Sequence, residues 1–435
     1  MKKLLFFWNE LKATFWFVPV LIIIFSILLS MGLVYLDSAV NLPQNKLTRF
    51  FLVASADSAR SILSTISGAM IGVAGTVFSV TLVALTLASS QFGPRLIKNF
   101  MYVRLNQVVL GSYISTYLYC LLVLTAIKEE NYTFIPSLSI LVAIFAAMAN
   151  IILLIIFIHQ IAISIQADKV ISEISGFIST QVKTLFPEKM GEEAESGESP
   201  DIMAVKSGYS KTVSVKSPQS GYLQYIDSDT LMEIISSNNA LLELHFRPGG
   251  FLVEGLEIGL LYSNEKMEKG EVDKIFQQLV IGPIKTPQQD LEFSIHQMVE
   301  IAVRALSPGV NDPYTAIACI DNLTATLSYL ATIKFPSKYR FDEKNNLRVI
   351  TDKLDFEGIL DAAFNQIRQF SAGSTAVIIR LMEALITIHK FAKNENYRKA
   401  VIKHANMVLR IGKESINEKN DISDLEERSE KIIGK

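Results

Sequence analysis

The most distinctive spacing in the sequence lies in one apolar stretch. Ser64, Ser67, Gly68, Gly72, Gly75, Thr76 and Ser79 recur at short helical intervals between Ser61 and Phe92, a run with no Asp, Glu, Lys or Arg. Two kinds of chemistry suit such residues. Small side chains let helix backbones approach closely in lipid, where packing and interhelical hydrogen bonds drive association. With Thr65, Thr81, Thr86, Ser89, Ser90 and Gln91, the same stretch also offers hydroxyl and amide groups that can line a water-filled ion path. The two readings are compatible, because a subunit interface around a symmetry axis is both packed and pore-facing.

A second candidate is the polar loop from Arg304 to Ala316. Ser307-Pro308-Gly309 ends one helical pattern, Asp312 supplies an N-cap carboxylate and Pro313 takes the first helical position, where a missing N–H is harmless. Structurally this is a turn. Functionally, Asn311, Asp312, Tyr314 and Thr315 form a possible ligand or gating loop, placing polar groups at a helix N-terminus that suits a small anion or a partner's carboxylate. Nearby, His296, Glu300 and Arg304 share one helix face at i, i+4 and i+8, which reads as a solvated, salt-bridged row. No nucleophile, HExxH, P-loop or Gly-x-Ser-x-Gly motif accompanies them, so the chain is not expected to be an enzyme. Cys120 and Cys319 lie in different regions and define neither a disulfide framework nor a zinc site; no metal and no cofactor is expected.

These residues must be held by membrane helices and a soluble region. Hydrophobic residues make up 50% of the chain and charged ones 19%, the average of a lipid-solvated part and an ordinary soluble part. The net charge of −2 gives no basic excess to neutralise phosphates, so nucleic acid is not an expected partner. Four spans are expected in residues 1–170, at about 15–36, 61–92, 105–127 and 134–164. Because the first has no small-x-small cleavage site, it reads as a retained helix. None of the four holds a carboxylate, Lys or Arg, which argues against a proton-relay pump. His159, near one end of the fourth, reads as an interface or capping group. Lys2, Lys3 and Lys12, and then Arg95, Lys98 and Arg104, place both termini in the cytoplasm by the positive-inside rule.

Beyond the spans, residues 171–203 read as a stalk and an acidic linker, with Pro187 to Pro200 too polar to bury a core. Residues 204–286 alternate as short strands in a small β-rich domain, residues 287–411 turn helical, and 412–435 read as a charged tail, a helix end followed by disorder.

Two resemblances sharpen this outline. The halves Ser217-Pro218-Gln219-Ser220-Gly221-Tyr222-Leu223 and Arg247-Pro248-Gly249-Gly250-Phe251-Leu252-Val253-Glu254-Gly255 resemble a biotinyl/lipoyl-type barrel-sandwich, without the lysine that would carry a prosthetic group. The whole chain resembles a family of bacterial predicted membrane proteins catalogued as a domain of unknown function. The matching pieces are Thr14-Phe15-Trp16-Phe17-Val18-Pro19, Ser89-Ser90-Gln91-Phe92-Gly93-Pro94-Arg95, Phe157-Ile158-His159 and Ala305 through Ala316. Phe251 departs from the family pattern, following Gly250 where an acidic residue usually precedes the aromatic. The resemblance implies a bacterial inner-membrane location and four spans followed by a soluble region, and brings no activity with it.

The expected function is a homo-oligomeric ion channel or passive pore whose partners are the lipid bilayer, other copies of the chain and ions, with a cytoplasmic vestibule or gate. The alternative is a membrane-anchored sensor or scaffold whose soluble region binds a ligand or protein. A pure anchor rarely needs a polar stripe along a whole span, which favours the pore.

Overall fold

The structure is a computed structural model that describes residues 8, 11–12, 14–39, 55–93, 104–128, 134–185, 200–265, 269–352 and 354–434. The linker expected at 187–200, except Pro200, and the cations Lys2, Lys3, Arg95 and Lys98 fall outside these residues. The chain forms two compact units that divide near residue 170.

The first unit holds four helices long and apolar enough to cross a bilayer: α1 (Phe17–Ala39), α2 (Ala56–Phe92), α3 (Arg104–Ala126) and α4 (Ser137–Ser164). α2 starts ahead of the uncharged run, because Ser55 caps it by accepting the N–H of Ser58 and the charged Asp57 and Arg60 fit in its first turns. Its 37 residues span about 55 Å, well beyond a hydrocarbon core of about 30 Å. Gly93, at φ +106°, ends it as the Gly93-Pro94 pair suggests, donating its N–H to the Ser89 carbonyl. α1 packs on α3 and α4, and α2 packs on α3 and α4. Leu63, Cys120, Val123 and Ile140 fill one part of the interior, and Met70, Val77, Val109, Tyr113 and Phe157 fill another. At the end of α1, the Asp37 carboxylate caps α4, accepting the N–H groups of Leu138 (3.0 Å) and Ser139 (2.9 Å) and the Ser139 hydroxyl (2.7 Å).

The apolar stretch containing α4 does not continue as one stalk. It breaks at Ile165 and Gln166, and α5 (Ala167–Leu185) follows, burying Val170, Ile171, Ile174, Ile178 and Val182 along one face.

In the second unit come α6 (Ile202–Ser207), β1 (Lys211–Lys216), β2 (Gly221–Ile226), α7 (Ser228–Ser237), β3 (Leu241–Leu244), β4 (Phe251–Leu252), β5 (Glu257–Ser263), α8 (Lys269–Phe276) and β6 (Leu279–Gly282). Then follow α9 (Leu291–Ala305), α10 (Pro313–Leu330), β7 (Tyr339–Phe341), β8 (Leu347–Ile350), α11 (Phe356–Phe370), α12 (Thr375–Phe391), α13 (Glu395–Ser415) and α14 (Lys419–Ile433). The strands form a three-stranded sheet, β4-β2-β6, and a five-stranded sheet, β1-β5-β3-β8-β7. Both contribute to one core with Val215, Leu223, Leu231, Leu242, Leu252, Leu261 and Val349.

Two expectations are corrected. The segment 287–411 is not purely helical: β7 and β8 return to the five-stranded sheet, where β8 pairs parallel to β3 with Leu242 opposite Val349. Nor is 412–435 a helix end followed by disorder, since α14 packs on α12 and α13 and buries Leu425, Ser429 and Ile432. Helical spacing brings those three to one side, and burial of Leu425 and Ile432 offsets the ordering entropy of a short charged helix.

Candidate pore-lining face and polar loop

α2 has two opposite faces. Leu63, Ser67, Met70, Ala74, Val77, Thr81, Ala84 and Ala88 are buried in the helix bundle at alternating three- and four-residue steps. Ser64, Gly68, Gly72, Gly75, Thr76 and Ser79 are exposed, and a β-carbon built on Gly68, Gly72 or Gly75 would meet no atom within 4 Å. The small-residue stripe therefore faces away from its own bundle. Ser67 is the exception: it lies 5% exposed among the buried residues and is removed from the candidate face. At 100° per residue, Ser67 sits about 100° from Gly68, on the packed side of the helix.

Four hydroxyls on or beside this face are satisfied without a partner helix. Thr65 donates to the Ser61 carbonyl (2.7 Å), Thr76 to Gly72 (3.3 Å), Ser79 to Gly75 (2.9 Å) and Thr86 to Leu82 (2.9 Å). Each oxygen keeps lone pairs that can accept from water or from another helix. Asp57 extends the same register at one end, with steps of four, three and four residues to Ser61, Ser64 and Gly68. Its side chain is 89% exposed, 3.9 Å from Arg60.

The interior of the bundle holds a polar knot that sequence reading missed. Asn150 of α4, fully buried, accepts from the Ser112 hydroxyl (2.6 Å) and donates to Thr116 Oγ1 (2.9 Å), while Tyr113 donates to the Asn150 carbonyl (2.7 Å). Farther along α3, Tyr119 donates to the Ser139 carbonyl (2.9 Å). Such bonds lock α3 to α4 where apolar packing alone discriminates poorly between registers. The available signal was an amide within an apolar span. His159 is exposed on α4.

In the soluble unit the loop before α10 folds as its chemistry requires. Asp312 accepts the N–H groups of Tyr314 and Thr315, both at 3.1 Å, and the Thr315 hydroxyl at 2.6 Å. The Thr315 hydroxyl and these backbone donors hold its carboxyl below the usual carboxylate range. Asn311 takes a left-handed conformation at φ +49°. Asp312 and Thr315 thus serve the cap, whereas Tyr314 points outward, 80% exposed. Of the four loop candidates, Asp312, Tyr314 and Thr315 are joined by hydrogen bonds, and those bonds account for the cap alone. His296, Glu300 and Arg304 are half-buried on α9 rather than on a fully solvated face.

A second cap nearby was not foreseen. Asp290 caps α9 through the Phe293 N–H (2.9 Å), is 4% exposed, and burial raises its carboxyl above the usual range. Gly249, at φ +95°, lies so close that any β-carbon there would collide with the Asp290 carboxylate. The adjoining Arg247 bridges Glu292 (2.6 Å) and Asp352 (2.8 Å). The Arg247-Pro248-Gly249-Gly250 turn is thereby explained as packing against α9. Among the described residues no group of His, Cys, Asp and Glu is arranged to hold a metal ion.

Four apolar helices followed by mixed sheets and a helical region define an integral membrane protein with a folded soluble portion. Residues 12–387 match the family described as predicted membrane protein (DUF2254), and the chain belongs to that family. It is 30% identical over 371 residues to the uncharacterized proteins Mb1321c of Mycobacterium bovis and Rv1290c of Mycobacterium tuberculosis, covering 83% of this chain and 70% of each relative. No solved structure matches.

Proposed function

We propose that this protein is a homo-oligomeric passive ion pore of the bacterial inner membrane, with the exposed small-residue face of α2 turned towards the symmetry axis. Both termini are then cytoplasmic, and the soluble unit serves as a vestibule or gate. One observation carries the reading: the face of α2 richest in Gly, Ser and Thr is the face its own bundle leaves uncovered. Hydrocarbon gains nothing from contact with such a surface, whereas a second backbone can approach it closely and water can solvate its hydroxyls.

Asp57 extends the reading to charge. Repeated around an axis, its exposed carboxylate makes an acidic ring at one mouth, the arrangement that favours cations. The corresponding experiment places single cysteines at Gly68, Gly72 and Ser79 of full-length protein in membranes and oxidises them. Disulfide-linked dimers from these sites, and none from Ile151 on the exposed side of α4, are expected; the reverse pattern overturns the assignment of the face.

A further inference from the structure

A cavity in the soluble unit lies outside every feature described so far. Its volume is about 450 Å³, within the range of small-molecule sites. Four parts of the fold meet around it: Val205 in α6 with Gly208 and Tyr209 just after it, Asn239 before β3, Asn264 after β5, and Phe341, Asn345, Asn346, Leu347 and Arg348 of the β7–β8 hairpin. The hairpin is a built structure. Asp342 accepts the Asn346 N–H (2.8 Å), the Lys344 N–H (3.0 Å) and Arg348 Nε (2.8 Å), and Asn345 closes the turn at φ +58°.

Arg348 is the group with chemistry to spare. It is 6% exposed, and its described hydrogen bonds are Nε to Asp342 and a long one, 3.4 Å, from Nη1 to the Ala240 carbonyl. A guanidinium has five donors, so most of its fork remains for an acceptor in the cavity it lines. Asp342 already balances its charge, which makes the cavity a poor match for a polyanion. Carboxamides supply the remaining polarity. Asn264 Oδ1 accepts the Ser210 N–H and leaves its NH2, Asn346 Nδ2 donates to Asp342 and leaves its oxygen, and Asn239 and Asn345 make no described side-chain hydrogen bond. Half-buried Tyr209 adds aromatic surface, while Phe341 belongs to the core against which Tyr209 packs.

We propose that this cavity binds a purine base carrying two adjacent acceptors, as guanine does, in a nucleoside or mononucleotide. The chemistry is that of base readout elsewhere: an arginine fork on two neighbouring acceptors, amides on the donor and acceptor edge, and an aromatic face for stacking. A sugar would use the amides and the aromatic face but leave the paired donors of the fork unmatched. The inference is independent of the pore reading.

The test is calorimetric titration of the full-length protein in detergent with guanosine, GMP, AMP, UMP and glucose. Saturable binding of GMP at least tenfold tighter than AMP or UMP is expected, with no binding of glucose. Guanosine binding as well as GMP identifies the base as the ligand, whereas GMP binding with guanosine silent would overturn base recognition. Asn345→Gly, which suits the left-handed backbone, should weaken GMP binding several-fold with the melting temperature unchanged; Tyr209→Ala should weaken it several-fold too, with a lower melting temperature, because Tyr209 packs against the core of Leu241, Tyr262 and Phe341. No saturation with GMP at millimolar concentration, equal binding of AMP, or unaltered binding by both folded variants would overturn the proposal.

Discussion

Replacing Asp312 by Ala tests whether the polar loop before α10 is a cap or a ligand site. One carboxylate there holds two backbone N–H groups and the Thr315 hydroxyl. Loss of an N-cap side chain costs about 0.5–2 kcal/mol. The upper half of that range applies, because the 2.6 Å hydroxyl contact is charge-assisted and is lost as well. At about 2–4 °C per kcal/mol for a unit of this size, the soluble unit of Asp312→Ala should melt roughly 2–8 °C lower. Asp312→Ser keeps one acceptor for the backbone and should lose less than half as much. The folded-state carboxyl lies below its unfolded value, so this stabilisation is complete above about pH 4 and fades as pH falls through the folded pKa. The gap between wild type and Asp312→Ala should therefore close in acid. Thermal melts of the full chain in detergent, with hydrogen exchange at the amides of Tyr314 and Thr315, measure both effects. Equal losses for Ala and Ser, or exchange at those amides unchanged in Asp312→Ala, would refute the capping argument and point to a role for the charge itself.

Other outcomes follow from the same structure. Asp290 has a raised folded-state pKa, so its ionised form is penalised at neutral pH and relieved as pH falls towards the unfolded value. Asp290→Asn, which keeps the cap, should then melt no lower than wild type at pH 7 and gain less stability as pH falls towards the unfolded carboxylate value; a clear destabilisation at pH 7 would contradict this. Leu425→Ala should destabilise the helical region by about 2–5 kcal/mol in denaturant titrations, because the side chain is fully buried; no effect would restore the disordered-tail reading. For orientation, a cysteine at Asn99 should resist an impermeant thiol reagent added outside and one at Asn45 should react, the native Cys120 and Cys319 being buried. The opposite labelling would reverse the topology.

Hydropathy made the four spans readable because lipid leaves no alternative for a long uncharged stretch. The Asp312-Pro313 start of α10 was equally legible, since capping is local chemistry. What escaped was decided by distant partners. β7 and β8 are three and four residues long, and β8 joins β3 across roughly a hundred positions, a pairing no periodicity announces. Ser67 and Gly68 are neighbours on opposite sides of the boundary between packed and open surface, and only the positions of α3 and α4 draw that line. Asn150 drew no reading from the sequence, because its partners Ser112 and Thr116 come from α3, roughly thirty-five positions away. The docking of α14 rests on a sparse apolar pattern in a charged segment, for which composition favoured a tail.

The central claim concerns the open face of α2, and ion flux tests it most directly. Purified full-length protein in liposomes, with its oligomeric mass measured in the same preparation, should pass small cations. Ser79→Ala and Gly72→Ala should keep the oligomer and change the flux, because pore radius and lining dipoles set conduction. Asp57→Asn should lower the preference for cations over anions. An intact wild-type oligomer that passes no ions under any voltage, pH or salt condition, or a flux indifferent to all three substitutions, would contradict the account.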